Sequence, residues 1–138
     1  MYQRFIAVGR LGRDPEVAST PGGAHYATLR LATSEYIKGE ERTEWHRVVV
    51  WDEKLVEVLQ RRARKGTLVA VEGQIRSRKW QRDGHEVVST EVVLDRFHSR
   101  LQVLADARPG GAADAQEANK VYLDHARRVD FHDDELPF

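Results

Sequence analysis

The sequence predicts a mainly β domain, with one helix set between the third and fourth of roughly five strands, followed by a polar tail. Three observations predict it. Short runs rich in β-branched and aromatic residues recur between residues 4 and 104, separated by Gly, Pro and Asp clusters. One segment, DEKLVEVLQRRARKG, carries helical spacing instead. Past Leu104 the composition turns small and polar, with Pro109-Gly110-Gly111 as a breaker. A chain of 138 residues has room for one core.

The elements follow in order. Arg4 to Leu11, RFIAVGRL, reads as a strand in which Gly9 marks a bulge or a close approach. RDPEV, from Arg13 to Val17, and TPGG, from Thr20 to Gly23, read as turns. In HYATLRLATS, Ala27, Leu29 and Leu31 alternate with Tyr26, Thr28 and Arg30, the pattern of a half-buried strand. KGEER, Lys38 to Arg42, reads as a polar loop, and WHRVVVW, Trp45 to Trp51, as the strongest strand. Leu55, Val58, Leu59 and Arg62 then recur at helical spacing, between Asp52 and a basic last turn that closes at Gly66. TLVAVEGQIRSRKW is a further strand, Asp83-Gly84 a two-residue hairpin turn, and HEVVSTEVVLDRFHSRLQVL the returning strand with room for one more. This order fits the five-stranded Greek-key barrel known as the OB-fold. A small α+β sandwich is the alternative.

Charge divides the chain. It carries 22 Lys+Arg and 22 Asp+Glu in total, but residues 1–104 hold 18 against 14 and residues 105–138 hold 4 against 8. A basic body with an acidic end points to an anionic ligand for the body and a separate role for the tail. The expected division is a domain over 1–104, a mostly disordered linker over 105–129 and an acidic tip over 130–138. With no cysteine, disulfides and Cys-ligated zinc or iron–sulfur sites are excluded. MYQRFIAVGR lacks the apolar stretch of a signal peptide, and no run approaches the ~18 apolar residues of a membrane span. The expectation is a cytoplasmic protein with no membrane partner.

The chemistry-bearing residues lie on strand faces. In TEWHRVVVW, alternation puts Trp45, Arg47, Val49 and Trp51 on one side and His46, Val48 and Val50 on the other. In GQIRSRKW, Gln74, Arg76, Arg78 and Trp80 share a face opposite Ile75, Ser77 and Lys79. Rings interleaved with cations suit an unpaired nucleic-acid strand: bases stack on the rings, at ~1–3 kcal/mol each, and cations track the phosphates. Ordinary β structure with core Trp and solvated Arg is the competing reading. Arg4, Arg10 and Arg13 on the first strand and its turn add to the basic set. His46, on the Val48/Val50 face, reads as a buried or interface histidine. No nucleophile–base pair, P-loop or dinucleotide fingerprint occurs. The groupings Glu44/His46/Asp52 and His125/His132/Asp133/Asp134 are poor metal candidates, so no metal, cofactor or catalytic residue is expected.

IAVGRLGRDPEV, LRLATSE, TEWHRVVVW, RKG, VEGQIRSRKW and TEVV, in that order, resemble the bacterial single-stranded DNA-binding protein (SSB) family, and DDELPF is similar to that family's acidic Pro-Phe tip. The resemblance implies an OB-fold, usually a homotetramer, that wraps single-stranded DNA without chemistry. It places Trp45, Trp51 and Trp80 at aromatic positions near DNA, and Arg4, Arg47, Arg76, Arg78 and Lys79 at basic ones. Arg10 and Arg13 fall where the family is often polar or basic, and His46 at the subunit interface. Asp133, Asp134, Glu135, Leu136, Pro137 and Phe138 would form a docking peptide for replication, recombination and repair proteins. Its acids would meet a basic rim and its terminal Phe an apolar pocket. Three departures stand out, one of them a loop from Tyr36 to Glu44 that is shorter than in some members. Where many members carry a tryptophan, this chain has Ile37 beside Tyr36, so either Tyr36 takes over the stacking or one platform is missing. The linker is short and of mixed charge. The expected function is sequence-tolerant binding and protection of single-stranded DNA in a cytoplasmic, nucleoid-associated protein. The alternatives are an OB-fold primosome or recombination accessory that mainly binds proteins, and a metal-dependent nuclease.

Overall fold

The computed structural model describes residues 1–107. Its elements are β1 (Phe5–Leu11), β2 (Glu16–Ser19), β3 (His25–Ile37), β4 (Glu40–Val50), α1 (Glu53–Arg62), β5 (Leu68–Arg82), β6 (His85–Leu94) and β7 (Arg100–Ala105). The expected linker and tip, apart from residues 105–107, lie outside the described residues.

The sheet runs β1-β3-β4-β6-β5, and β5 pairs back onto β1, so five strands close a barrel. All pairings in the ring are antiparallel except β4 with β6. That ring with one helix is the OB-fold. β2 adds to the outer edge of β3, and β7 to the edge of β5 that β6 leaves after Gln74.

Alternation decides what fills the barrel. Ala27, Leu29 and Leu31 from β3, Val48 and Val50 from β4, Val69 and Val71 from β5 and Val92 and Leu94 from β6 all point into one buried cluster. Each such aliphatic side chain contributes roughly 1.5–3 kcal/mol through burial. Helix α1 contributes Val56 and Leu59 to the same cluster. Its start is set by Asp52, whose Oδ1 accepts a hydrogen bond from the Lys54 backbone N–H at 3.0 Å. Arg61 and Arg62 occupy its last turn, where cations favour the helix dipole. The helix closes at Arg62, short of Gly66, because Arg64 N–H is taken by the Thr67 hydroxyl.

Two further local readings differ from the structure. Glu16–Ser19, expected partly as a turn, is a short strand that hydrogen-bonds along β3. Lys38–Arg42, expected as a loop, contains only a two-residue turn, Lys38-Gly39, with φ of 52° and 80°. The β3–β4 hairpin therefore runs unbroken from Ile37↔Glu40 down to Ala27↔Val50. Asp83-Gly84 makes the expected equivalent turn, with φ of 52° and 79°.

Candidate nucleic-acid interface

The outer surface of β3, β4, β6 and β5 carries the site. Cross-strand register sets its rungs. Arg30 lies opposite Arg47, Glu91 lies opposite Arg76, and the parallel pairing of Val48 with Val92 brings Arg47 level with Glu91. One rung thus reads Arg30, Arg47, Glu91, Arg76 across four strands. Glu91 Oε1 lies 3.6 Å from Arg47 Nε and 4.0 Å from Arg78 Nη1. Its carboxylate is largely buried and holds two guanidiniums in place, while both guanidiniums keep an open side to solvent.

Aromatic rings flank this row. Trp51 and Tyr26 form a tilted pair with centroids 4.8 Å apart. They line an open groove with Thr28, Val49, Arg47 and Arg78. Trp45 lies on the other side of the arginine row, in a hollow with Gly12, Arg13 and Arg30. Gly12 is what admits it: a Cβ at that position would come 2.3 Å from Trp45 Cζ3. Trp80 shares the β5 face of Gln74, Arg76 and Arg78, as alternation predicts. Trp45, Trp51 and Trp80 are 53%, 41% and 39% exposed. These values leave ring faces open for stacking and set the three apart from core tryptophans.

Tyr36 belongs to the same face. Its partner in register is Glu41, and steps of two along β4 lead through Thr43 to Trp45 and Arg47. It is 44% exposed. Ile37 lies on the opposite face of the hairpin, so Tyr36 is the residue there that extends the aromatic row.

The other expected site residues are placed variously. Arg10 is turned to the backbone: its Nη1 donates to the carbonyls of Gly66 and Asp106, at 3.0 and 3.2 Å. Arg4 Nη1 stands 3.9 Å from the Glu72 carboxylate, well along β5 from Trp80. Lys79 shares a face with Val88 rather than with Trp80, and its Nζ lies 3.8 Å from Glu86. Arg13 borders the Trp45 hollow and pairs with Glu16 at 3.3 Å.

His46 points to the interior side of β4, near the mouth of the barrel. Its Nε2 lies 2.8 Å from the Thr33 hydroxyl, and its ring packs edge-on against Phe5 at 5.2 Å. Burial lowers its pKa from the usual histidine value, and the nearby Glu44 carboxylate opposes that shift.

Two residues of the groove were not among the expected set, Arg30 and Tyr26. The signal for both was present, since they alternate with Ala27, Leu29 and Leu31 and so had to share an outward face. Among the described residues no group of three or more His, Asp or Glu side chains is placed to hold a metal ion. No described helix is long and apolar enough to cross a membrane. The expected docking segment, Asp133 to Phe138, lies outside the described residues.

Comparison with known proteins gives a consistent picture. Residues 2–100 match the sequence profile of the single-strand binding protein family. A "Single-stranded DNA-binding protein" of Rickettsia typhi is 36% identical over 98% of this chain and 96% of its own. One of Rhizobium meliloti is 42% identical over 86% of this chain and 72% of its own. Among solved structures, the Plasmodium falciparum SSB in complex with ssDNA superposes with a TM-score of 0.72 at 31% identity, covering 75% of this chain and 96% of that one.

Proposed function

The chain belongs to the single-strand binding protein family, and from that premise we propose that it binds single-stranded DNA along the β3–β4–β6–β5 face without catalysing a reaction. The observation that carries this reading is the Arg30/Arg47/Glu91/Arg76 rung set between exposed tryptophans. Phosphates are drawn to the arginines and release counterions, and bases stack on Trp45, Trp51, Trp80 and Tyr36. Stacking reads no base edge, so binding is sequence-tolerant. Paired bases present no free face, so duplex binds poorly.

In this reading the protein is cytoplasmic and nucleoid-associated. It coats unpaired DNA during replication, recombination and repair. It assembles as a homotetramer, with His46 near a subunit contact. The segment Asp133 to Phe138 docks on basic, apolar pockets of partner enzymes. Arg4, Arg13 and Lys79 border the DNA path, and Arg10 supports it from the backbone side. The exposed tryptophans speak against an accessory that mainly binds proteins, which would have no use for three open indoles between arginines.

Single replacements of Trp45, Trp51 and Trp80 by Ala test the reading in a mobility-shift assay. Each is expected to weaken oligo-dT binding by about 1–3 kcal/mol. Unchanged affinity in all three would refute it. Removing residues 133–138 is expected to abolish capture of replication and repair proteins while leaving a chain that still retards oligo-dT. Sedimentation equilibrium tests the tetramer.

A further inference from the structure

The loop between β6 and β7 carries a feature that the groove does not use. Phe97 is 82% exposed, the most exposed aromatic side chain among the described residues. Arg96 and His98 beside it and Arg100 beyond are exposed as well. Exposing a phenylalanine wastes apolar surface that the fold could bury, yet the backbone here is held firmly. Asp95 Oδ1 accepts hydrogen bonds from the N–H groups of Phe97 and His98, at 3.0 and 2.9 Å, and from the Ser99 hydroxyl at 3.2 Å. Those bonds, the His98 N–H first, keep the Asp95 carboxyl below the usual carboxylate range, so it stays an acceptor at neutral pH.

The loop starts at the groove. Val50 and Leu94 are the last paired residues of β4 and β6, and the Trp51 N–H donates to the Leu94 carbonyl at 2.8 Å. One position on from that pair stand Trp51 and Asp95. Chain length alone keeps the Phe97 Cα within about 11 Å of the Leu94 Cα. The tip is therefore tethered by three residues to Leu94, the hydrogen-bond partner of Trp51.

We infer that Phe97, with Arg96 and His98, forms an additional stacking contact that receives the single strand as it leaves the Tyr26/Trp51 pair. The inference rests on the proposed single-stranded DNA reading and extends its path. A nucleic-acid strand fits better than an acidic peptide, because the tip is tethered beside the arginine-lined groove and presents an exposed ring flanked by Arg96 and Arg100 rather than a pocket.

The test is fluorescence titration of the full-length chain and its variants with poly(dT). Phe97→Ala is expected to lower affinity about tenfold, within the range of one lost base stack. Phe97→Trp is expected to keep wild-type affinity, and Arg96→Ala to reduce the slope of log affinity against log salt by about one. Thermal melting of Phe97→Ala should match the wild type, since the ring is exposed. Wild-type binding with unchanged affinity in Phe97→Ala would overturn this inference alone. So would a loss that Phe97→Trp fails to rescue. Failure of the wild type to bind poly(dT) would overturn the groove reading and this inference together.

Discussion

Arg30 on β3 stands directly opposite Arg47 on β4, on the outer face of the barrel. Like charges opposed across two strands destabilise a sheet. Glu91 relieves Arg47 but is not within ion-pair distance of Arg30. A polyanion laid across the rung, as proposed, would relieve both. Arg30→Ala is therefore expected to weaken oligo-dT binding and to lower the salt slope by about one. Its folding stability should hold or rise by at most ~0.5 kcal/mol. Salt-dependent titration and urea unfolding check the two arms, and a clear loss of stability would contradict the opposition as the governing feature.

Glu91 is the one acid in that rung. Removing it as Glu91→Gln leaves Arg47 and Arg78 without their anchor but takes a negative charge out of the proposed DNA path. Affinity for oligo-dT at low salt is expected to rise roughly twofold to fivefold, with the gain shrinking as salt is added. A weaker complex at every salt concentration would show that the anchor matters more than the charge.

Two glycines separate fold from site. A Cβ on Gly9 would fall 2.0 Å from the Ala32 carbonyl oxygen, which is backbone and cannot yield. Gly9→Ala should destabilise the barrel by about 1–3 kcal/mol or more. A Cβ on Gly12 meets the outer edge of the Trp45 ring, which is exposed and can swing away. Gly12→Ala should leave urea stability within about 1 kcal/mol of wild type, yet change tryptophan emission and weaken oligo-dT binding.

His46 makes stability depend on pH. Its folded pKa lies below the unfolded value of about 6.5, because burial disfavours the imidazolium. The unfolded chain therefore takes up the proton first as pH falls. Stability is fully present above about pH 6.5, declines below it, and levels off once pH passes the folded pKa. Urea midpoints measured from pH 7.5 down to 5 should show this decline in wild type and a shallower one in His46→Gln.

Much of this site was legible because a strand's period is two. Once WHRVVVW was read as a strand, Val48 and Val50 had to face inward and Trp45 and Arg47 outward, and they do. What escaped has specific causes. β2 is four residues long and mostly exposed, so it carries no apolar alternation. Lys38-Gly39 adopts the same positive-φ pair as Asp83-Gly84, but lysine is not a residue that announces such a turn. For Arg10, sequence gives the position and not the carbonyls of Gly66 and Asp106 that its guanidinium meets. The Arg30–Arg47 rung depends on hairpin register, which the turn at Lys38-Gly39 fixes and which the expected longer loop would have left open.

The proposed binding face depends on Trp45, Trp51 and Trp80 acting as stacking platforms among arginines that meet phosphate. Titration with oligo-dT, following intrinsic tryptophan fluorescence at low and high salt beside a duplex of equal length, tests it most directly. Strong quenching by oligo-dT, little by duplex, and weaker binding at high salt are expected. Equal binding of both nucleic acids without quenching would contradict it.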